Sequence, residues 1–469
     1  MKRLSLAVVA TVAAPLMGIS ILGAQTATTV DSQIGQSPAE STTVTVLTLD
    51  NALQIALSES PTIRIADAEI EVQNWAKKGT YAQLFPQINA SGSYQRNLKK
   101  QKMYMSIGGQ VQGIEVGMNN SYNAGVNLQV PVVSVELWKS LEISALNVEL
   151  AVEKSRSSRL DMVEQVTKAF YQVLLAKESL SVYEAVYANS LDNYNQVQNK
   201  YNVGKASEYE YSSAIVSVKN AEPNVFQAEN AVYLTLWQLK ALLGVDLSME
   251  IDCAGTLADF EPLLTDIDPR SLSTEGNSSI KQLDLQLEQL TANLKIQQAS
   301  YYPSLALTGT LTVMTMDDSF DFNKYMWSPY SYAGLSLSIP IFDGGKRRSN
   351  VRSTQLGVDK LQLQKANAQR NLQVQLMQYV NNMRTDIKKF NAAQTTVEEA
   401  EKSYRLAQRR FEIGGGTLLE VNNALLQLTQ SRLTLNQSVY DYLSSKASLE
   451  NIVGKEYYGE VPQSTDSQK

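Results

Sequence analysis

From Leu376 to Phe411 one line of residues recurs at alternating steps of four and three: Leu376, Val380, Met383, Ile387, Phe390, Gln394, Val397, Glu401, Tyr404, Gln408 and Phe411. A mean step of about 3.5 residues is the seam of a coiled coil, narrower than the apolar stripe of an ordinary surface helix. No proline falls between Lys346 and Phe411, so nothing stops the helix. Roughly 65 residues at about 1.5 Å each make a rod about 100 Å long, several times the usual helix length. A rod of that length cannot bury its own seam and requires a partner along most of it.

The chain supplies a partner by repeating itself. Subtracting 210 from each position gives Val166, Phe170, Val173, Lys177, Leu180, Glu184, Tyr187, Leu191, Tyr194, Gln198 and Tyr201, which predicts a second seam of the same period. The first copy ends in Val203-Gly204-Lys205-Ala206-Ser207 and the second in Ile413-Gly414-Gly415-Gly416-Thr417. The same offset pairs Glu210 with Glu420, Ala214 with Ala424 and Gly244 with Gly454, and Ala124-Gly125-Val126 recurs as Ala333-Gly334-Leu335 at an offset of 209. Self-similarity at a fixed offset means one structural unit built twice.

Ahead of the repeats, Lys2-Arg3 precede an apolar run from Leu4 to Leu22 closed by Gly23-Ala24-Gln25, the pattern of a secretory signal peptide over residues 1–24. Its removal takes two basic residues and no acid, moving the formal charge from −6 to −8. That balance leaves no basic surface for nucleic acid. Cys253 is the single cysteine, and the chain has no histidine, so no internal disulfide forms and the commonest metal ligand and general base are missing. Residues 25–46 read as an exposed leader.

After Phe85-Pro86 and again after Tyr302-Pro303 the period switches from helical to two. Ile88, Ala90, Gly92 and Tyr94 alternate with polar neighbours, as do Tyr122, Ala124, Val126, Leu128 and Val130, then Leu305, Leu307, Leu311 and Val313, then Leu335, Leu337 and Ile339. Four strands of about ten residues bounded by aromatics have the length and pattern of outer-membrane strands. A soluble antiparallel sheet with one wet face alternates in the same way. In a membrane, four strands cannot close a barrel, because about eight is the minimum and open edges in lipid leave backbone groups unpaired. Two chains would pool eight strands and three would pool twelve.

The organisation predicted is a first repeat over 47–244 (helices 51–84, strands 86–96 and 121–131, helical hairpin 136–244) and an irregular equatorial segment over 245–276 with one short strand near Met249–Cys253. A second repeat follows over 277–454 (helix 279–301, strands 303–313 and 331–340, helical hairpin 346–454), then a tail over 455–469. Thr48 is placed to cap the first helix.

This order, with Leu47-Thr48-Leu49-Asp50-Asn51-Ala52-Leu53 at its start and Tyr201-Asn202-Val203-Gly204 and Phe411-Glu412-Ile413-Gly414 at its two turns, resembles the TolC family of outer-membrane efflux proteins from about Leu47 to Gly454. The resemblance implies an α+β membrane protein, a tandem repeat of long coiled-coil hairpins with four transmembrane β-strands per chain. Three such chains would form a twelve-stranded β-barrel on a periplasmic α-helical barrel, in the outer membrane of a Gram-negative cell. It implies a homotrimer set in outer-membrane lipid, a periplasmic adaptor (membrane fusion) protein docking at Val203, Gly204, Ile413 and Gly414, and an inner-membrane pump of the RND or ABC type. It also implies a periplasmic aperture at Glu420 and Asn423 and a gating latch involving Tyr209, Glu210 and Phe411. The family commonly has acids at both aperture positions, so Asn423 halves the ring charge. Its latch arginine falls at Gly416. Glu420 also suits the start of a helix whatever the fold, as Gly204 and Gly414 suit a helix end.

The function implied is a passive exit duct of a tripartite efflux system. The outer-membrane component of type I protein secretion is the alternative, and a non-channel trimeric coiled coil a more remote one. No enzyme is expected, because no metal-ligand cluster, phosphate loop or activated nucleophile is present. No cofactor or metal site is assigned. The methionines at the strand ends (Met103, Met105, Met118, Met314, Met316 and Met326) lack histidine partners, and Asp317, Asp318 and Asp321 lack the spacing of a calcium loop.

Overall fold

The computed structural model describes residues 44–107 and 110–457. The predicted signal peptide, residues 25–43 of the leader and residues 458–469 of the tail lie outside them.

The first repeat opens with a short strand β1 (Thr45–Leu47), then α1 (Leu49–Glu59) and α2 (Pro61–Ala82). Thr48 caps α1 by accepting from the Asn51 amide, and Pro61 takes the first position of α2, where its missing N–H costs nothing. Next come β2 (Gln87–Arg96), β3 (Gln101–Ile107), β4 (Gln110–Val116) and β5 (Asn120–Val133). The first helical hairpin is α3 (Val135–Asn202) with α4 (Glu208–Leu243). After β6 (Ile251–Cys253), the second repeat runs α5 (Ser278–Ala299), β7 (Ser304–Asp317), β8 (Ser328–Ser338), α6 (Lys346–Glu412) and α7 (Leu418–Val453).

Two junctions turn these helices into parallel rods. Gly244, at φ +73°, caps α4 directly on the break between α1 and α2; a Cβ there would come within 2.9 Å of Pro61 Cδ and 3.1 Å of the Glu59 carbonyl. Its repeat equivalent Gly454, at φ +75°, caps α7 against the Gly276 carbonyl just ahead of α5. Helix α4 therefore abuts α2 and α7 abuts α5, each pair making a broken rod beside one of the 68- and 67-residue helices α3 and α6. Helix α3 packs on α2, α4, α5 and α7, whereas among the rods α6 packs on α5 and α7. The order across the chain is α2/α4, α3, α5/α7, α6.

That order corrects the seam expected in α3. Val166, Phe170 and Val173 are buried as the period predicts, but below Lys177 the buried positions are Val182, Ser190, Asn193 and Val197, while Glu184, Leu191 and Tyr201 are exposed. An inner rod with neighbours on several sides does not repeat the burial of an edge rod. In α6 the seam is Leu376, Val380, Met383, Tyr404 and Phe411, with Gln394 exposed and Ala393 buried beside it.

One core lies at the level of the rod junctions, where Phe170, Leu174, Leu239, Met383 and Tyr442 meet α1 through Leu53 and Ala56. Each large apolar side chain fully buried there contributes about 1.5–3 kcal/mol. Tyr442, with no exposed surface, also holds the equatorial segment: its hydroxyl accepts from the Thr265 amide at 3.0 Å and lies 2.9 and 3.0 Å from the Thr265 and Leu263 carbonyls. The segment carries β6, which pairs in parallel with β1. Thr45 and Val46, expected in the leader, thus belong to a strand; both stay exposed, as expected, while Leu47 is buried in the core.

The main sheet is antiparallel throughout, in the order β2-β5-β7-β8. Strand β7 runs four residues beyond the expected 313, since Met314–Asp317 still pair with Asn120–Asn123 of β5; β8 begins at Ser328 and stops at Ser338, earlier at both ends than the expected 331–340. Register sets Ile88 beside Leu128, Ala90 beside Val126, Val126 beside Leu311, and Leu307 beside Leu335, so one face is largely apolar. The other carries Asn89, Asn127 and Thr310, with Thr310 Oγ1 donating to Asn127 Oδ1 at 3.0 Å. Strands β3 and β4 form a separate hairpin outside this sheet, which the sequence reading did not anticipate.

Candidate functional site

The two helix tips share a second core. Val197, Ala214, Tyr404, Phe411, Val421 and Leu425 come from both hairpins and pack together, so the tips form one unit and not two free ends. The turns themselves follow from glycine. After α3, Gly204 (φ +71°) lets the Lys205 amide reach back to the Lys200 carbonyl at 2.7 Å; after α6, Gly414 (φ +79°) lets the Gly415 amide reach the Arg410 carbonyl at 2.8 Å. Each bond satisfies one of the carbonyls left free at its helix end. They leave Val203 and Ile413, two of the predicted docking residues, exposed at the end of the molecule.

The return helices start on hydroxyl caps, and here the repeats diverge. Ser207 Oγ accepts from the Glu210 amide at 3.2 Å while the Glu210 carboxylate accepts from the Ser207 amide at 2.7 Å, a closed capping box. Thr417 likewise accepts from the Glu420 amide at 3.3 Å, but the Glu420 carboxylate points to Arg410, 3.5 Å away. Glu420 and Asn423 lie one turn apart on the exposed flank of α7, whose opposite side buries Leu418, Val421 and Leu425.

The three residues of the predicted latch are engaged separately within one chain. Phe411 is buried in the shared core, Glu210 is committed to its cap, and Tyr209 is 80% exposed. Sequence reading missed the residues that join the hairpins. Lys200 on α3 donates to the Phe411 carbonyl at 2.8 Å and lies 4.0 Å from the centre of the Phe411 ring. Asn422 on α7 donates to Ser217 Oγ on α4 at 3.1 Å. Arg410 donates to the Gly415 carbonyl at 3.0 Å and so braces its own turn. The signal for Lys200 and Arg410 was present, since both are basic residues in the last turn of a long helix, where they oppose the carbonyl end of its dipole.

The far end of the sheet offers no site of this kind. Asp318 pairs with Lys100 at 2.9 Å and accepts from the Asn119 amide, Asp317 accepts from Ser319, and Asp321 pairs with Lys324. Among the described residues no group of acidic, cysteine or histidine side chains is placed to hold a metal, and no helix is long and apolar enough to cross a membrane.

Comparison with known proteins bears on this architecture. The profile of a family described as "Outer membrane efflux protein" matches residues 52–245 and 270–455. The probable efflux pump outer membrane protein TtgC of Pseudomonas putida is 24% identical over 441 residues, covering 88% of this chain and 84% of its own. The outer membrane protein TolC of Vibrio cholerae is 22% identical over 383 residues, covering 79% and 82%. Among solved structures, the CmeC outer membrane channel of Campylobacter jejuni superposes with a TM-score of 0.69 at 18% identity, over 87% of this chain and 85% of that one. VceC of Vibrio cholerae gives 0.69 at 16% identity, over 87% and 96%.

Proposed function

This chain belongs to the outer membrane efflux protein family, and from that premise we propose that it is the outer-membrane exit duct of an efflux system, extending into the periplasm. The observation that carries the reading is the sheet. Its apolar face is uncovered in the single chain, with Leu335 67% exposed, and β2 and β8 leave both edges open. An apolar face of this extent finds its place in lipid, and open edges there must be paired. Three chains pooling four strands each close a twelve-stranded barrel, and the four rods of each chain continue it as a helical tube.

The duct is passive. An inner-membrane pump supplies the substrate, and a periplasmic adaptor seats on the tips, where Val203, Gly204, Ile413 and Gly414 are presented. Three-fold symmetry brings three copies of Glu420 and Asn423 around one axis as a constriction favouring cations. Tyr209 and Glu210 of one chain against the tip of the next form the latch. Arg410 shares the charge of Glu420 and takes part of the place that the family's latch arginine leaves empty at Gly416.

Electron microscopy of the protein extracted from outer membranes tests this. A hollow particle with three-fold symmetry and a tube about 100 Å long is expected. A solid rod, or a monomer absent from the membrane fraction, would overturn it.

A further inference from the structure

The four places where strand meets helix fall along one rim of the sheet: α2 leads into β2, β5 into α3, α5 into β7, and β8 into α6. Charge gathers there against the trend of the chain. The helix ends and connector in residues 73–82, 135–145, 290–299 and 339–356 hold eight basic residues and three acidic ones, in a protein whose formal charge is −6. Two of the acids are already matched. Asp343 pairs with Arg347 at 2.8 Å, and Glu142 pairs with Lys139 at 2.7 Å and Lys295 at 3.9 Å. Lys77, Lys346, Arg348 and Arg352 have no acid within ion-pair distance among the described residues, and Lys78 lies over the Trp75 ring at 4.0 Å.

Apolar residues stand beside these cations in the open. Ile341 and Phe342, in the connector from β8 to α6, are 92% and 87% exposed, among the most exposed large apolar side chains of the chain. Trp75, Tyr81, Phe85, Tyr301 and Tyr302 are exposed at the same rim. Aromatic residues at the edge of an apolar band mark the headgroup level of a bilayer, and clustered Lys and Arg beside such a band attract anionic headgroups. We propose that this rim is a binding collar for anionic phospholipid of the phosphatidylglycerol class in the periplasmic leaflet, with Ile341 and Phe342 entering the acyl boundary while Lys346, Arg348 and Arg352 meet the headgroup phosphates. The proposal rests on the duct reading, which sets the helical side of the sheet in the periplasm.

The test reconstitutes the full-length protein in bilayers of phosphatidylethanolamine alone or mixed with phosphatidylglycerol, and reads retained lipid by native mass spectrometry after stepwise delipidation. Wild type is expected to retain phosphatidylglycerol at least about five-fold over phosphatidylethanolamine, and a K346Q/R348Q/R352Q variant to lose that preference, since each basic residue near an anionic surface is worth roughly a five-fold factor. Equal retention in variant and wild type, or no preference in wild type, overturns the collar. Should the variant fail to insert, the salt dependence of wild-type retention decides: a preference unchanged by rising ionic strength is not electrostatic and also overturns it. Pore conductance in phosphatidylethanolamine alone separates the two readings. Pores without an anionic preference sink the collar only, and no pores in either bilayer sinks the duct.

Discussion

Lys200 and Arg410 stand one repeat apart at the ends of the two long helices, and they reach in different directions. Lys200 crosses to the other hairpin and donates to the Phe411 carbonyl at 2.8 Å, while Arg410 turns back on its own tip to the Gly415 carbonyl at 3.0 Å. The two tips are therefore joined by one cation and the second turn is braced by the other. Replacing Lys200 with Met removes a charge-assisted hydrogen bond and a cation–π contact, about 1–2 kcal/mol at a partly exposed site. Amide exchange of Gly414 to Thr417 should quicken about ten-fold, with Lys200→Arg close to wild type. Unchanged exchange in the Met variant would mean that the contact holds nothing.

The aperture proposed at Glu420 and Asn423 carries a graded prediction. Each Glu420 has Arg410 at 3.5 Å, and Asn423 adds no charge. Asn423→Asp should raise the preference for cations, by up to about five-fold if the added charge acts at a few ångströms in a wet pore. Arg410→Gln should raise it in the same direction by freeing Glu420, and Glu420→Lys should lower it and weaken block by multivalent cations. Reversal potentials in planar bilayers give the order directly. If all three variants match wild type, these residues do not line the narrowing.

The tie between α3 and α7 is sensitive to acid. Glu164 accepts from Lys168 at 2.6 Å, from Ser448 at 2.8 Å and from Asn451 at 2.5 Å. Burial pushes its carboxyl up, but these three partners together outweigh burial and hold it below the ordinary value of 4.5. A carboxyl depressed in the folded state stabilises the fold fully above its unfolded value and loses that contribution as pH falls through the folded one. Glu164→Gln should cost about 1–3 kcal/mol at neutral pH and flatten the fall in thermal midpoint below pH 4.5. An equally steep acid limb in the variant would assign that limb to other carboxylates.

How much of this was legible in the sequence depended on how far each signal extended. The two long helices, their glycine turns and the four strands of the sheet announce themselves because a period repeated over many residues outweighs local noise. The β3–β4 hairpin was missed although Gly108-Gly109 lies between its strands, a known hairpin signal, because Met103, Tyr104 and Met105 interrupt the alternation. The short strand expected near Met249–Cys253 is present as β6, but its partner β1 was missed, because three residues are too few to show a period and the two pair across about two hundred residues. The lower seam of α3 was misplaced because equal sequence spacing was taken to mean equal surroundings, and α3 is an inner rod where α6 is an edge. The place of Lys200 in the last turn of α3 was legible, but its tie to the other hairpin was not, because its partner is a main-chain carbonyl, which no residue pattern encodes.

The glycines that cap the helices divide by what surrounds them. Gly204 and Gly244 have nearly the same backbone, φ +71° and +73°, but a Cβ on Gly204 would meet nothing within 4 Å, whereas one on Gly244 would press on Pro61 Cδ at 2.9 Å and the Glu59 carbonyl at 3.1 Å. Gly204→Ala should therefore cost only the left-handed conformation, about 1 kcal/mol. Gly244→Ala adds overpacking of about 1–3 kcal/mol, and the strain falls on the junction that lets α4 continue into α2. The expected result is a much larger drop in thermal midpoint for Gly244→Ala, together with loss of assembled particles from the outer membrane, while Gly204→Ala assembles normally. Equal shifts for the two would mean that the α4–α2 junction yields easily, and that the broken rod beside α3 is not held end to end.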